Sequence, residues 1–471
     1  MDSTPPQPTV SISRRTLLCS TSIATALSVS DVAFLGADDP AKKRPKVAAI
    51  FTVLRFRSHA YNFLENFLGP YYFNGRLTDP GVDVVALYAD QFPDDDMARE
   101  MSRRFGIPLF KSIDAALCLG GKHLAVDAVL SIVEHGDYPF NERGQQMYPR
   151  KQFFDQALAV MKRADRYVPF FNDKHLSYRW DWAKEMYDVA RKVRMPLLAG
   201  SSVPLAQRVP ALELPHDAEI KEVISIHGGG LETYDFHGLE VLQSIVEGRK
   251  GGETGITSIE LLSGEDYERA RNAGRWSKDL VDAAMQAERN AHFRRQPRPT
   301  VSKASITRDA TPQQSDGRQS RPSGPHAITV TYKDGLKATV LKVGSSSDRW
   351  NCALRLRGES KPRATALFNS PWGNRGLFKA LSHAIQYMFV HGHEPYPAER
   401  TLLTSGAVEA AMRSYQLGGK RIETPHLEIA YKPTDWHEMR ETGETWKIIT
   451  SDTPQPVRLS PRSFDELKRQ R

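Results

Sequence analysis

The chain of 471 residues is long enough to form two domains with separate hydrophobic cores. Apolar residues make up 40% and charged residues 25%, an ordinary balance for a soluble globular protein. The net charge is +8, and the basic residues are interleaved with acidic ones along the chain, apart from a basic tract near 294–321. We interpret that tract as a solvated linker and expect no nucleic-acid partner. The three cysteines, Cys19, Cys118 and Cys352, form no C-x-x-C, which predicts neither a zinc site nor a disulfide framework.

The first residues carry an export pattern. The run Ser13-Arg-Arg-Thr-Leu-Leu18 matches a twin-arginine signal, and a moderately apolar stretch continues to Ser30, where Asp31 closes it. That stretch is too short and too weakly apolar to span a bilayer. We therefore predict that residues 1–38 form a signal peptide, and we leave them out of the fold prediction.

The signal peptide predicts where the protein works. Cleavage is expected between Ser28 and Asp39, and Leu18 precedes Cys19 where a lipoprotein signal needs a small residue. We expect no lipid anchor and no other stable membrane anchor. The expected partner is the twin-arginine export machinery of a bacterium, and the expected location is the periplasm or another extracytoplasmic space.

Strands and helices alternate between residues 46 and 203, the predicted first domain. The predicted strands are Val47–Ile50, Asp83–Tyr88, Leu109–Phe110, Val126–Val133, Tyr167–Phe171 and Leu197–Gly200. The predicted helices are one after the first strand, then Met97–Phe105, Ser112–Leu117, Lys151–Lys162 and Trp180–Arg194. This order predicts a Rossmann-like, doubly wound parallel sheet.

The turn after the first strand lacks the residues that such a sheet uses to bind a nucleotide. A dinucleotide-binding unit carries G-x-G-x-x-G there, so that the backbone can approach a pyrophosphate at the helix N-terminus. Phe51, Val53 and Phe56 stand where the glycines are expected. Because bulky residues block that approach and rarely adopt positive φ, this turn argues against a bound nucleotide.

Polar and ionisable side chains follow four of the predicted strands, at the edge where ligands bind in open parallel sheets. They are Arg55, Arg57 and His59 after the first strand, Asp90 after the second, Glu134, His135 and Asp137 after the fourth, and Asn172, Asp173, Lys174 and His175 after the fifth. The group is either a ligand site or the usual polar ends of strands. Asp90 ends the second strand, where a nucleotide-binding sheet holds the ribose. No metal-ligand spacing occurs on one helix or strand, so we predict no metal site.

Residues 204–430 predict a second, α/β domain, followed by a tail at 431–471. The predicted strands are Glu222–His227, Thr257–Leu262, Ala327–Tyr332, Lys337–Lys342 and Trp350–Arg357. The predicted helices are Leu239–Val246, Asp266–Ala291, Phe378–Val390 and Ala398–Gln416. Residues 294–325 are polar and without apolar periodicity, which predicts a disordered insertion.

Two segments resemble the Gfo/Idh/MocA oxidoreductase family. Asp173-Lys-His-Leu176, with the helix and strand up to Gly200, is similar to the family's E-K-P-L segment. The run from His227-Gly-Gly-Gly-Leu231 to Glu240 resembles the glycine-rich entry and the H-x-x-D helix of its second domain. Together with the order of the other elements, the resemblance covers most of residues 46–430.

The resemblance implies a Rossmann domain followed by an α/β domain with an open, mostly antiparallel sheet. It also implies oxidation or reduction of a carbohydrate or polyol with NAD or NADP, and a homo-oligomer formed through an exposed sheet face. Lys174 and His237 take the positions of the family's catalytic lysine and histidine. Our candidate cofactor-binding residues are Thr52, Arg55, His59, Asp90, Glu134 and Asp173, and our candidate substrate-binding residues are His135, His175 and Glu240.

The chain also departs from the family pattern. Besides the turn, His175 replaces the proline, and Thr233 stands where the family often has an acid, with Asp235 two residues before His237. An insertion, Gly136–Arg150, follows the fourth strand; it could fill the cofactor cleft, cap a new substrate or be a surface loop. Three functions remain open: an exported oxidoreductase, a nucleotide-free carbohydrate-binding relative, and a lyase or hydrolase that uses the same cleft without nucleotide.

Overall fold

The computed structural model describes residues 43–215, 217–296 and 324–461. The predicted signal peptide and most of the predicted disordered insertion lie outside these ranges, so both stay predictions. The described residues belong to one compact unit, and the predicted division near residue 203 also stays a prediction. Within the described ranges, no helix combines the length and apolarity needed to cross a membrane.

The first half of the chain forms a six-stranded, wholly parallel sheet in the order β5-β4-β1-β6-β7-β8. The helices and strands in this half of the chain, including β2, β3 and β9 that lie outside this sheet, are β1 (Lys46–Phe51), α1 (His59–Phe67), β2 (Tyr71–Phe73), β3 (Arg76–Thr78), β4 (Asp83–Ala89), α2 (Ala98–Phe105), β5 (Leu109–Phe110), α3 (Ile113–Leu117), β6 (Ala128–Ile132), α4 (Arg150–Arg163), β7 (Phe170–Asp173), α5 (Trp180–Lys192), β8 (Leu197–Gly200) and β9 (Gln207–Val209). The predicted doubly wound sheet is confirmed.

The central strand β1 is buried on both faces of the sheet. Val47, Ala49 and Phe51 pack with α1 and α2 on one face, and Ala48 and Ile50 pack with α3, α4 and α5 on the other. A strand buried on both faces needs a continuous apolar run, which this one has. The sequence analysis missed the hairpin β2–β3, although its Asn74-Gly75 turn, with both residues at positive φ, is typical of a tight hairpin.

The second half forms an eight-stranded sheet in the order β16-β11-β12-β13-β10-β14-β15-β9. Its elements are β10 (Ile220–His227), α6 (Thr233–Val246), β11 (Ile256–Ser263), α7 (Gly264–Asn272), α8 (Lys278–Ala291), β12 (His326–Tyr332), β13 (Lys337–Lys342), β14 (Trp350–Leu356), β15 (Arg363–Phe368), α9 (Leu377–His391), α10 (Glu399–Gln416) and β16 (Ile422–Glu423). The pair β10–β13 is parallel and the other neighbours are antiparallel, as the resemblance implied. The single helix predicted over Asp266–Ala291 is wrong: the chain breaks near Gly274, at φ 68°, into α7 and α8.

Both faces of the second sheet are covered within the chain. On one face Val223 and Val340 pack in the core that includes residues of α6 and α10. On the other face Ile224 and Leu341 pack against α7 and α8, with Leu280 of α8 among the fully buried residues. The predicted homo-oligomer was based on an exposed face of this sheet, and that face is covered by helices of the same chain. The homo-oligomer itself stays a prediction.

A buried ion pair joins α6, α10 and the tail. The Arg400 guanidinium donates to both oxygens of Glu247, which also accept hydrogen bonds from Tyr431 and Trp436. Arg400 lies between the rings of Tyr396 and Trp436, at 4.6 and 4.5 Å from their centroids. Burial opposes the charged form of Arg400, but Glu247 more than compensates and raises its pKa. The tail thus closes over a neutralised charge.

Removing one partner of this pair should strongly destabilise the protein. Arg400→Ala leaves the Glu247 carboxylate buried without its cation, so we expect the free energy of unfolding to fall by about 3–5 kcal/mol. Urea denaturation followed by circular dichroism measures it. The control is Lys250→Ala, which breaks an exposed ion pair with Glu219 and should leave the midpoint unchanged. A midpoint for Arg400→Ala equal to that of the control would contradict this assignment.

Candidate functional site

A cavity of about 390 Å³ lies where β1, β6 and β7 end, facing the start of α6 and of α9. Its lining combines cationic, imidazole and aromatic side chains. They include Arg55, Arg57, His59, Glu134, His135, Lys174, Tyr234, His237, Trp350, Arg375 and Phe378. Six of the predicted strand-end residues therefore do meet in one cavity, namely Arg55, Arg57, His59, Glu134, His135 and Lys174. Residues of the second half of the chain also line it.

Lys174 and His237 are in direct contact in this cavity. Lys174 Nζ lies 2.6 Å from His237 Nε2, and His237 Nδ1 lies 2.5 Å from Ser201 Oγ. The lysine ammonium donates to Nε2, so the imidazole proton resides on Nδ1 and is donated to Ser201. Burial and the nearby Lys174 charge hold the pKa of His237 well below its usual value. The imidazole is therefore neutral and can accept a proton only if a ligand reorganises this contact.

The backbone at Lys174 is strained. Its φ is 69°, a left-handed conformation that a lysine rarely adopts. The conformation is held by a hydrogen bond from Gly200 N to the Lys174 carbonyl. Strain of this kind concentrates at functional sites, where the surrounding structure enforces it. Here it directs the side chain toward His237.

A second histidine in the cavity is paired with a carboxylate. His59 Nδ1 lies 2.6 Å from Asp173 Oδ2, and Asp173 is almost fully buried. The carboxylate binds Nδ1 and thereby fixes the orientation of the ring. The ring packs edge-on against Phe378 and His135, at 4.8 and 5.3 Å. An imidazole oriented in this way is a suitable general base.

Glu134 is buried between two cations. Its carboxylate lies 2.5 Å from Arg150 Nη2 and 3.7 Å from Lys174 Nζ, and its carbonyl accepts from Thr52 Oγ1 at 2.8 Å. Burial favours the neutral acid, but Lys174 and Arg150 outweigh it and lower the pKa of Glu134 far below its usual value. Glu134 therefore serves as a fixed anion that positions the lysine.

The start of α6, which bears His237, rests on a buried carboxylate. Asp235 Oδ1 accepts from His227 Nε2 at 2.9 Å and from His326 Nε2 at 2.7 Å, and its Oδ2 accepts from Glu232 N at 2.7 Å. The three side chains also lie close enough together to be considered as metal ligands. Ligand atoms around one zinc ion lie about 3.3 Å apart, farther than these hydrogen-bonded contacts. In this arrangement the group works as a hydrogen-bond network.

The turn after β1 fits poorly with a dinucleotide held in the usual way. Phe51, Thr52, Val53 and Leu54 are almost completely buried, with Phe51 and Leu54 in the main core. At the start of α1, Ser58 Oγ accepts from the amides of Arg55 and Tyr61. From Phe51 to Ser58 the turn contains no glycine, so residues with a Cβ atom stand where the backbone of a Rossmann turn approaches a pyrophosphate.

The insertion after β6 packs onto this turn. Tyr138 donates to Asp90 Oδ2 at 2.6 Å, and the Gln91 side chain exchanges two hydrogen bonds with the backbone of Asp137. A methyl group placed on Gly136 would lie 3.2 Å from Val53 Cγ2, so the loop touches the turn itself. Asp90, expected to hold a ribose, thus binds a tyrosine of the insertion, and the insertion packs against the turn after β1.

The structure separates the predicted site residues into two groups. The cavity lining includes Arg55, His59, Glu134, His135, Lys174 and His237. The other five predicted residues are not part of the cavity lining and contact other residues of the chain. They are Thr52, Asp90, Asp173, His175 and Glu240. His175 is buried beside Arg150 and Phe236, and Glu240 is buried between α6 and α10, where it accepts from Thr401, Thr404 and Ser201 N. Burial raises the pKa of Glu240.

Sequence reasoning missed several residues of the site. Ser201 directly follows β8, so its place at a strand end was a usable signal. Trp350 and Tyr234 lie on the second sheet and α6, and their rings stack 5.0 Å apart with an angle of 6°. No spacing in the sequence connects these two residues. Arg150 could not be found either, because its contact with Glu134 depends on the path that the insertion takes between β6 and α4.

The comparisons with known proteins rest on structure. No protein-family model matches the sequence, and no curated protein matches it. The myo-inositol dehydrogenase from Lactobacillus casei, in complex with NAD(H) and myo-inositol, superposes with a TM-score of 0.50 at 15% identity, over 84% of this chain and 100% of that one. GenD2 from gentamicin A biosynthesis, in complex with NAD, gives 0.49 at 11% identity, over 81% and 97%. This chain has the fold of the Gfo/Idh/MocA oxidoreductases. At such identity the likeness concerns the fold alone.

His135 should make stability depend on pH. Burial and the neighbouring charges of His59 and Arg55 lower its pKa to about 3, whereas an unfolded histidine titrates near about 6.5. Between these values the unfolded chain binds a proton that the folded chain does not. The free energy of unfolding should therefore fall as the pH falls through this window, by up to about 1.4 kcal/mol per pH unit for this group.

The variant His135→Asn isolates that contribution, since asparagine tolerates the positive φ of 69° at this position. Urea denaturation from pH 7 to pH 4 should give a shallower pH dependence for the variant than for the wild type. The matched control is His123→Asn, at an exposed histidine. Equal slopes for His135→Asn and the wild type would contradict the prediction.

Proposed function

We propose that this chain is a member of the Gfo/Idh/MocA family that acts on a carbohydrate or polyol by acid–base chemistry, without a dinucleotide at the β1–α1 turn. One observation carries the proposal. The lysine–histidine pair that the family resemblance implies is assembled in the cavity, while the turn that would hold the nucleotide is filled by the chain's own side chains.

The cavity suits a small, ring-shaped polar ligand. Its volume of about 390 Å³ lies near the lower end of the range of ligand pockets, about 300–1,000 Å³. Trp350 and Phe378 are aromatic groups of the lining, and the histidines, lysine and arginines supply hydrogen-bond donors. A single sugar or cyclitol ring matches this mixture of apolar faces and polar edges.

Three groups can carry out proton transfer. His59, oriented by Asp173, presents Nε2 as the base that removes a proton from a hydroxyl group or from a carbon next to a carbonyl. The Lys174 ammonium can stabilise the negative charge that develops on oxygen. His237 Nε2 accepts from Lys174, so it takes up a proton from the same oxygen only after the ligand has displaced this contact. When the proton comes from a carbon next to a carbonyl, its electron pair forms an enolate that Lys174 stabilises. Return of the proton to the neighbouring carbon completes an isomerisation, which needs no oxidant or reductant.

The second candidate function is oxidation or reduction of the same class of substrate with NAD or NADP. The likeness in fold to a myo-inositol dehydrogenase whose structure holds NAD(H) favours it. This function would require the insertion to move off Asp90 and Gln91. The localisation is a separate proposal that rests on the twin-arginine motif: the protein works outside the cytoplasm of a bacterium.

The first test is to denature the purified protein and analyse what it releases by mass spectrometry. We expect no stoichiometric NAD or NADP, and no rise in melting temperature with either, because buried side chains stand where the turn of a nucleotide-binding sheet has glycines. Inositols or simple sugars should raise the melting temperature. Stoichiometric nucleotide would overturn the nucleotide-free proposal and favour the second candidate.

The second test concerns turnover. The wild type is incubated with a panel of sugars and polyols, and products are detected by mass spectrometry. Lys174→Met should lower the rate by about 100-fold or more, since it removes the group that stabilises charge on the substrate oxygen. The matched control is Lys184→Met, at an exposed lysine paired with Asp188. Equal rates for the two variants would remove Lys174 from the proposed mechanism.

A further inference from the structure

We propose that the natural ligand of this cavity is an acidic sugar, with its carboxylate bound by Arg55 and His135. The inference rests on the proposed function, because it concerns the same cavity, and it specifies the class of substrate. It is drawn from the charges that line the cavity, from the partners those charges have, and from one buried ring nitrogen.

Positive charge dominates the lining. Among the described lining residues, Arg55, Arg57, Lys174 and Arg375 are cations, and Glu134 is the acid. Glu134 is already bound to Arg150 and Lys174. Arg375 is neutralised by Glu65, which accepts from it at 2.5 to 3.1 Å. The electrostatic potential inside the cavity therefore favours an anion.

Arg55 supplies the charge that this network does not neutralise. Its side chain is partly buried and lines the cavity, and the described residues offer its guanidinium neither a hydrogen bond nor an ion pair. A partly desolvated cation without a partner is unfavourable until an anion binds to it. A carboxylate is a good match, because the guanidinium fork can donate two parallel hydrogen bonds to its two oxygens.

His135 offers the second contact. Its Nε2 is buried and has no hydrogen-bond partner within the described protein, although its ring lines the same cavity. The chain holds His135 at a φ of 69°, an uncommon conformation outside glycine. An unsatisfied buried nitrogen costs stability, so a site that keeps one is suited to a ligand that completes it. One carboxylate oxygen, or a hydroxyl beside it, would do so.

The remainder of the cavity argues for a sugar rather than a bare anion. An arginine fork binds carboxylate and phosphate alike. However, Trp350 and Phe378 provide apolar surface beyond Arg55 that a small inorganic ion would leave uncovered. A pyranose ring with a carboxylate at C6, a hexuronic acid, would place its ring between these aromatic groups and its charge at Arg55.

The experiment compares matched acidic and neutral sugars. Isothermal titration of the purified full chain is carried out with glucuronate and galacturonate, with glucose and galactose, and with inorganic phosphate. We expect the uronates to bind about 10-fold or more tightly than the corresponding neutral sugars. That preference should weaken when NaCl is raised from about 0.05 to 0.3 M, because the contact at the cavity mouth is screened.

Variants of Arg55 test the assignment directly. Arg55→Gln should abolish the preference for uronates over the matched neutral sugars. The matched control is Arg103→Gln, at an exposed arginine of α2 outside the cavity, which should behave like the wild type. If Arg55→Gln does not fold, Arg55→Lys tests the same point: it keeps the charge but loses the fork, so the preference should fall severalfold.

The outcomes separate this inference from the proposed function. Neutral sugars that bind as tightly as uronates would overturn the inference and leave the proposed function standing. Phosphate that binds more tightly than any uronate would overturn it in favour of a small-anion site. If no sugar, acidic or neutral, binds at all, the proposed function fails and the inference fails with it.

Discussion

The arrangement of the cavity depends on one buried carboxylate. Glu134 follows β6, and its charge is held by Arg150 at the start of α4 and by Lys174 after β7. A carboxylate buried without these cations would be too costly to remain ionised, and the cations would be equally costly without it. The three groups therefore fix one another and set the distance between two strand ends. The contact between Lys174 and His237 follows from this arrangement, because the lysine has few other positions.

The insertion Gly136–Arg150 changes what the fold can bind. Its first residues cover the turn after β1 and take Asp90 and Gln91 as partners, while its last residue delivers Arg150 to Glu134. One segment thus packs against the turn after β1 and completes the charge network around Glu134. This is a physical route from a cofactor-binding sheet to a smaller, self-contained cavity. It also explains how the Lys174–His237 pair can be present next to a turn that has no glycines.

The parts of the structure that the sequence predicted are those governed by local pattern. The strands and helices of the first sheet were placed to within a few residues, because a buried parallel strand is a continuous apolar run and a helix has its own cap and stop signals. The error at Asp266–Ala291 came from reading one amphipathic pattern through Gly274. The strand β15 was missed because its residues Arg363 to Phe368 alternate only partly, and packing on β9 and β14 defines it.

The class of fold, the absence of glycines from the turn after β1, and the set of ionisable residues at the strand ends could all be predicted from the order of residues. Which of these residues meet became clear only from the folded chain. Lys174, His237 and Ser201 come from different elements, and Asp173 turns its carboxylate to His59 while Glu240 and His175 turn away into the core. These choices depend on distances across the sheet and on which charges neutralise one another. Such pairings join residues far apart in the chain, and no spacing along a sequence records them.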